Sequence, residues 1–117
     1  MNAKLEEYKN LLEEDIILLG YEQLRYSIFL DDSSCDQEYQ IIIKHVKNIY
    51  EVYATADRAS VIGKYKYENI FDAFDKFLNL MQLTVLTNRM SVKNGETPEY
   101  QCSLWGKEWI EQEDKKK

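Results

Sequence analysis

The repeat of apolar residues changes twice along the chain, and this change is what most restricts the fold. Between residues 5 and 19 apolar side chains recur every three or four positions, as on one face of an amphipathic helix. From residue 24 to residue 67 they alternate with polar residues, which is the period of a strand with one buried face. The helical spacing returns from residue 70 to residue 86. An α+β fold is therefore predicted.

The predicted elements follow the order α-β-β-β-β-α-α. A helix covers residues 2–19, four strands lie within residues 24–67, and a long helix runs from the cap Asn69 to just before Asn94. Thr97, followed by Pro98, favours the start of a short final helix. Because each connection between strands is short, we expect an antiparallel four-stranded meander. Helices would then cover one face of the sheet, and the other face could be open.

Length and composition indicate one globular domain over residues 1–117, with residues 112–117 as a solvated tail. The chain has no apolar run of the ~20 residues needed to span a membrane and no secretory signal pattern, so a cytoplasmic protein is expected. Cys35 and Cys102 are too few for a disulfide scaffold. Both are expected as free thiols, although the sequence allows a bridge between them.

The negative charge is concentrated in the first third of the chain. Residues 1–38 contain ten acids and three bases, a net charge of -7, whereas residues 39–117 contain eleven acids and twelve bases, a net charge of +1. This balance argues against nucleic acid and anionic membranes as partners and suits a basic protein partner. A solubilising surface is the alternative interpretation.

No set of residues indicates catalysis, a metal or a cofactor. The single histidine, His45, belongs to no known motif and is interpreted as a structural or surface residue. Cys35, His45 and Cys102 are scattered without a zinc-binding spacing, and Gly63 lies in no phosphate-binding loop. The protein is therefore not expected to be an enzyme.

The residues predicted to bind a partner lie on the expected open face of the sheet and in two turns. Tyr53 is next to Val52 in a predicted strand, so it points to the opposite face of the sheet. Tyrosine is enriched in protein interfaces, although strands also favour it. The turns are rich in acids or present charged side chains between strands. The predicted set is Asp31, Asp32, Asp36, Glu38, Glu51, Tyr53, Thr55, Asp57 and Arg58.

The strand run EYQIIIKHVKNIYEVYATADRASVIGKYKYEN and the helix FDAFDKFLNLMQLTVLTN resemble small bacterial immunity proteins of polymorphic toxin systems, of the immunity protein 59 type. The leading LLEEDIILLGYEQLRYSIFL is similar to the same pattern. The resemblance implies a protein that binds a cognate toxin in the cytosol and blocks its active site or substrate path. Many such toxins are nucleases with basic sites, which an acidic inhibitor would complement.

Two other functions remain open at this stage. A phage- or plasmid-encoded inhibitor of a host nucleic-acid enzyme would have the same small size and acidity. A small ligand-binding α+β protein would need a pocket with convergent polar groups near His45 or the tyrosines. The oligomeric state is also left open.

Overall fold

The computed structural model describes residues 3–30 and 36–106. The helices and strands are α1 (Ala3–Leu19), β1 (Tyr26–Ile28), β2 (Ile41–Val46), β3 (Ile49–Thr55), β4 (Val61–Tyr67) and α2 (Ile70–Lys93). Short 3₁₀ turns occupy Asp57–Ala59 and Ser103–Trp105. The predicted α+β class is confirmed. Within these ranges, no helix is long and apolar enough to cross a membrane.

Helix α1 packs on the core through a narrower stripe than the sequence predicts. Leu12 and Ile16 are fully buried, and Gly20 ends the helix with a φ of 77°, which only glycine adopts without strain. Three leucines of this helix are instead exposed: Leu11, Leu18 and Leu19. The apolar surface of α1 therefore continues into solvent toward its C-terminal end.

Helix α2 begins as predicted, since the Asn69 side chain accepts a 2.8 Å hydrogen bond from the N–H of Phe71. Its buried face carries the expected repeat of Phe74, Phe77, Met81 and Val85. The helix is rich in apolar residues on several sides, but it is buried on one side only. The exposed apolar side chains on its outer surface are Phe71, Leu83, Leu86 and Met90.

The sheet has the order β1-β2-β3-β4, and its first pair corrects the predicted meander. β1 runs parallel to β2, with Tyr26 opposite Ile41 and Ile28 opposite Ile43. The predicted strand over residues 24–30 is only three residues long, because Phe29 adopts a φ of 59° and turns the chain. The connection then spans residues 29–40, which is long enough for the crossover that parallel strands need.

The remaining strand pairs are antiparallel, as predicted. Lys47 and Asn48 form the tight turn between β2 and β3, and Lys47 has the left-handed backbone conformation, with a φ of 57°. The register between β3 and β4 shifts at Tyr53 and Ala54. Gly63 is the additional residue there, and its φ of 52° is typical of a glycine bulge.

The core lies between the two helices and one face of the sheet. Ile41, Ile43 and Val52 on that face are at most 2% exposed. The opposite face, which was expected to be open, is closed at its centre, where Ile42 and its register partner Tyr53 are buried. Among the described residues, this face is exposed toward the edge strand β4, where Lys64 and Lys66 are exposed.

The final helix predicted from Thr97 and Pro98 does not form, and a single 3₁₀ turn at Ser103–Trp105 takes its place. The N–H of Glu99 donates to Oδ1 of Asn88 at 2.7 Å, and this bond holds the non-helical segment against α2. Trp105 is 1% exposed, so its side chain is packed against the domain. Trp109, Ile110 and the predicted tail lie outside the described residues.

Candidate protein-binding surface

Most of the predicted partner-binding residues meet at one end of the sheet. Asp36 and Glu38 precede β2, Thr55 ends β3, and Asp57 and Arg58 form the turn into β4. β2 and β3 are antiparallel, so the start of one lies beside the end of the other. Glu51 lies further down β3, and Asp31 and Asp32 fall outside the described residues.

Thr55 is a structural residue at this end rather than an exposed contact. Only 3% of it is exposed. Its Oγ1 accepts a 2.9 Å hydrogen bond from the N–H of Gln40 and donates to the carbonyl of Gln37. Gln40 Oε1 in turn accepts from the N–H of Gln37 at 2.8 Å. These bonds hold residues 37–40 against the end of β3, so the neighbouring acids have a fixed position.

Tyr53 lies on the predicted face of the sheet, but it is not exposed as predicted. It is 2% exposed, and its hydroxyl donates a 2.8 Å hydrogen bond to Oδ2 of Asp36. The ammonium groups of Lys44 and Lys64 lie over the ring, 5.6 and 5.1 Å from its centroid, so the two lysines cover it. The alternation of residues along one strand could not predict that Tyr53 is buried, because the side chains that cover it come from neighbouring strands and from the loop before β2.

Glu51 is also less available to a partner than predicted. Its carboxylate lies 3.8 Å from Nζ of Lys64, and only 12% of its side chain is exposed. The exposed half of this ion pair is Lys64, at 42%. This part of the sheet therefore presents lysines, whereas the acids are gathered at the sheet end.

Glu38 and Asp57 form an interacting carboxyl pair on the surface. Oε2 of Glu38 accepts a 2.8 Å hydrogen bond from the N–H of Arg58, and its backbone carbonyl accepts one of 3.0 Å from the Arg25 guanidinium. The Arg58 hydrogen bond, followed by one from Asp57, lowers the pKa of Glu38. The pKa of Asp57 is raised, first by its hydrogen bond to Glu38. Asp57 is thus the carboxyl group of the pair that holds a proton longer as the pH rises.

Two residues outside the predicted set belong to the same surface. Tyr39, at a φ of 54°, has a raised pKa because of desolvation and then because of the negative charges of Asp57, Glu38 and Glu99. Asp57, Glu38 and Glu99 therefore lie near enough to Tyr39 for their charges to act on its phenol. Tyr39 could have been proposed from the sequence, because it directly follows the predicted contact residue Glu38. Glu99, about 60 residues away in sequence, could not have been selected without the tertiary structure.

We call this surface the acidic sheet end, and define it as Glu38, Asp57 and Glu99 around Tyr39, with Asp36 beside them. Glu38, Asp57 and Glu99 are exposed, and Arg58 is an exposed base at its margin. The side chain of Glu99 is held by a 2.9 Å hydrogen bond from Nδ2 of the buried Asn88. The surface offers several carboxylates in fixed positions, an arrangement that complements a cationic partner.

The other chemistry-bearing side chains have ordinary packing environments. His45 stacks on Tyr50 at 4.8 Å, beside a small cleft also lined by Lys4, Leu5 and Tyr8. Cys102 is a buried free thiol whose pKa is raised by burial. In residues 3–30 and 36–106, no group of three or more histidine, cysteine, aspartate or glutamate side chains is arranged to hold a metal ion.

Comparison with known protein families finds one match over most of the chain. The model of the immunity protein 59 family matches residues 5–106, which include α1, the whole sheet, α2 and the 3₁₀ turn that contains Trp105. Comparisons with curated proteins and with solved structures find no match.

Proposed function

Because the chain belongs to the immunity protein 59 family, we propose that it binds a cognate bacterial toxin and neutralises it by direct protein–protein contact. The family match over residues 5–106 is the observation that carries this proposal. Inhibition by binding needs a complementary surface and no reactive group. We therefore propose a binding protein rather than an enzyme, acting in the cytoplasm of the bacterium that makes the toxin.

We further propose that the acidic sheet end is the part of the molecule that contacts the toxin. Glu38, Asp57 and Glu99 place three exposed carboxyl groups around Tyr39. Carboxylates grouped in this way accelerate the approach of a basic partner and orient it, since opposite charges attract before contact. Tyr39 adds an aromatic surface with a polar tip at the centre.

A basic partner of this kind is consistent with a nuclease toxin. Nuclease active sites carry cationic groups that bind the phosphates of nucleic acid. Carboxylates at a similar spacing can bind to the same cationic groups. The net charge of -6 also argues that the protein does not bind nucleic acid itself, because like charges repel. We therefore propose a basic nuclease domain as the cognate toxin.

The test is rescue of growth by co-expression with the toxin encoded beside this gene. Cells that make the toxin alone should stop growing, and cells that also make this protein should grow, with a stable complex on purification. A catalytically inactive toxin should form the same complex. Growth arrest in the presence of abundant folded protein, with no complex formed, would exclude the proposed function.

A further inference from the structure

A cleft separate from the acidic carboxylates lies between α1 and the outer edge of β1. Its volume is about 380 Å³. Lys9 and Glu13 of α1 lie on one side, and Tyr26, Ser27, Ile28 and Leu30 on the other; Gln37 and Gln40 complete the lining. β1 is the terminal strand of the sheet, so this cleft gives access to the strand edge that β2 does not use.

Ser27 presents a buried polar group to this cleft. The residue is 7% exposed, and its Oγ has no hydrogen-bond partner among the described residues. Burying a hydroxyl without a partner costs free energy, and a native protein rarely leaves one in this state unless something supplies the bond. Ser27 lines the cleft, and its Oγ lies just beneath the cleft wall, so an entering group reaches the hydroxyl after a small movement of the side chain.

The backbone of β1 presents further unpaired groups to the same space. The N–H of Ile41 donates to the carbonyl of Arg25, and the N–H of Phe29 donates to the carbonyl of Ile43. In a parallel pair, alternate residues direct their N–H and C=O groups toward the neighbouring strand. Tyr26 and Ile28 therefore direct theirs away from β2. Both residues line the cleft, and in the described ranges these backbone groups have no other partner.

We infer that this cleft binds an extended segment of the toxin, which adds to the sheet as a strand beside β1 and bonds to the Ser27 hydroxyl. The inference rests on the proposed function and names a second part of the contact. A peptide backbone is the ligand that matches donors and acceptors repeated along a strand edge. A small molecule could bond to the hydroxyl but would not match the backbone groups of both Tyr26 and Ile28.

The surroundings of the cleft indicate a polar segment. Lys9, Glu13, Gln37 and Gln40 supply charged and amide groups along its sides. Gln37 and Gln40 also lie within two residues of Glu38 in sequence, so this side of the cleft is close to the acidic sheet end. One toxin surface could therefore contact the carboxylates while a neighbouring extended segment occupies the strand edge.

Amide hydrogen exchange of the full chain, free and in complex with the purified inactive toxin, tests the inference. We expect exchange at Tyr26 and Ile28 to slow by about tenfold or more in the complex, since both amides gain a partner. The amide of Ser27, which faces β2, is an internal reference and should change less. A complex in which Tyr26 and Ile28 exchange as in the free protein would overturn this inference alone. Failure to form any complex would overturn the proposed function with it.

Replacing Ser27 with alanine supplies a second readout. S27A removes a buried hydroxyl that has no described partner, so the free protein should lose no stability, while its affinity for the toxin should fall by about five- to tenfold. S91A removes a hydroxyl from a half-buried position on α2 and should leave the affinity unchanged. Unchanged affinity of S27A would contradict the predicted bond.

Slower exchange at Tyr26 and Ile28 with rising concentration of this protein alone would identify a second copy as the occupant and overturn the proposal.

Discussion

The carboxylate of Glu38 accepts a 2.8 Å hydrogen bond from the backbone N–H of Arg58, across 20 residues of sequence. This bond joins the loop before β2 to the turn between β3 and β4. Arg58 adopts a φ of 59°, which is uncommon for a residue other than glycine, asparagine or aspartate. The turn is thus held by an acid from another loop, and the acidic sheet end depends on that contact for its shape.

Reversal of single charges should show whether this surface guides the toxin. We expect D57K and E38K each to lower the association rate by roughly tenfold at low salt, with a smaller effect at high salt, because screening weakens long-range attraction. E68K changes the net charge by the same amount at an exposed position after β4, at the opposite end of the sheet, and serves as the control. Stopped-flow mixing with the inactive toxin gives the rates. Equal effects of all three variants would indicate that net charge alone matters.

Removal of Glu38 should change the titration of Asp57. The pKa of Asp57 is raised chiefly by its hydrogen bond to Glu38, so E38A should lower it toward the ordinary aspartate value. Carboxyl chemical shifts followed by NMR against pH would measure the change, with Asp72 on α2 as the reference. An unaltered Asp57 titration in E38A would mean that the two carboxyl groups do not interact in solution.

The signs of these two shifts oppose one another in their effect on stability. The lowered pKa of Glu38 favours the folded state above its ordinary pKa, and that contribution is lost as the pH falls through the folded-state value. The raised pKa of Asp57 favours the folded state at low pH, and its contribution is lost as the pH rises through its folded-state value. Because both groups are exposed, we expect only a small net dependence of stability on pH from this pair.

Asn88 should contribute more to stability than any exposed asparagine on the same helix. It is 1% exposed and makes three hydrogen bonds, with Glu99 N, Glu99 Oε1 and the carbonyl of Thr84. N88A should lower the free energy of unfolding by about 2–3 kcal/mol, because the Glu99 N–H loses its acceptor and a cavity remains. N79A, at an exposed position on α2, should cost less than about 0.5 kcal/mol. Urea denaturation measures both, and similar values for the two variants would contradict this role.

Alkaline pH should destabilise the protein through Tyr100. Burial raises the pKa of Tyr100 from 10.0 to about 12, so the folded state favours the neutral phenol. Its contribution to stability is complete below pH 10 and is lost as the pH rises toward about 12. Urea midpoints measured across this range should fall less steeply for Y100F than for the unaltered chain. Parallel declines in the two proteins would assign the alkaline loss to other groups.

The sequence by itself determined the positions of the two long helices and the order of the four strands, because periodicity, the Asn69 cap and the Gly20 stop act over a few neighbouring residues. The sequence also identified Glu38 and Asp57 as candidate contact residues, since charged residues in turns can be recognised without the tertiary structure. Only the tertiary structure decided that β1 runs parallel to β2, that Tyr53 is covered by Asp36 and two lysines, and that Glu99 joins the same surface. Each of these depends on contacts between residues far apart in sequence, and no local pattern records which distant segment will supply them.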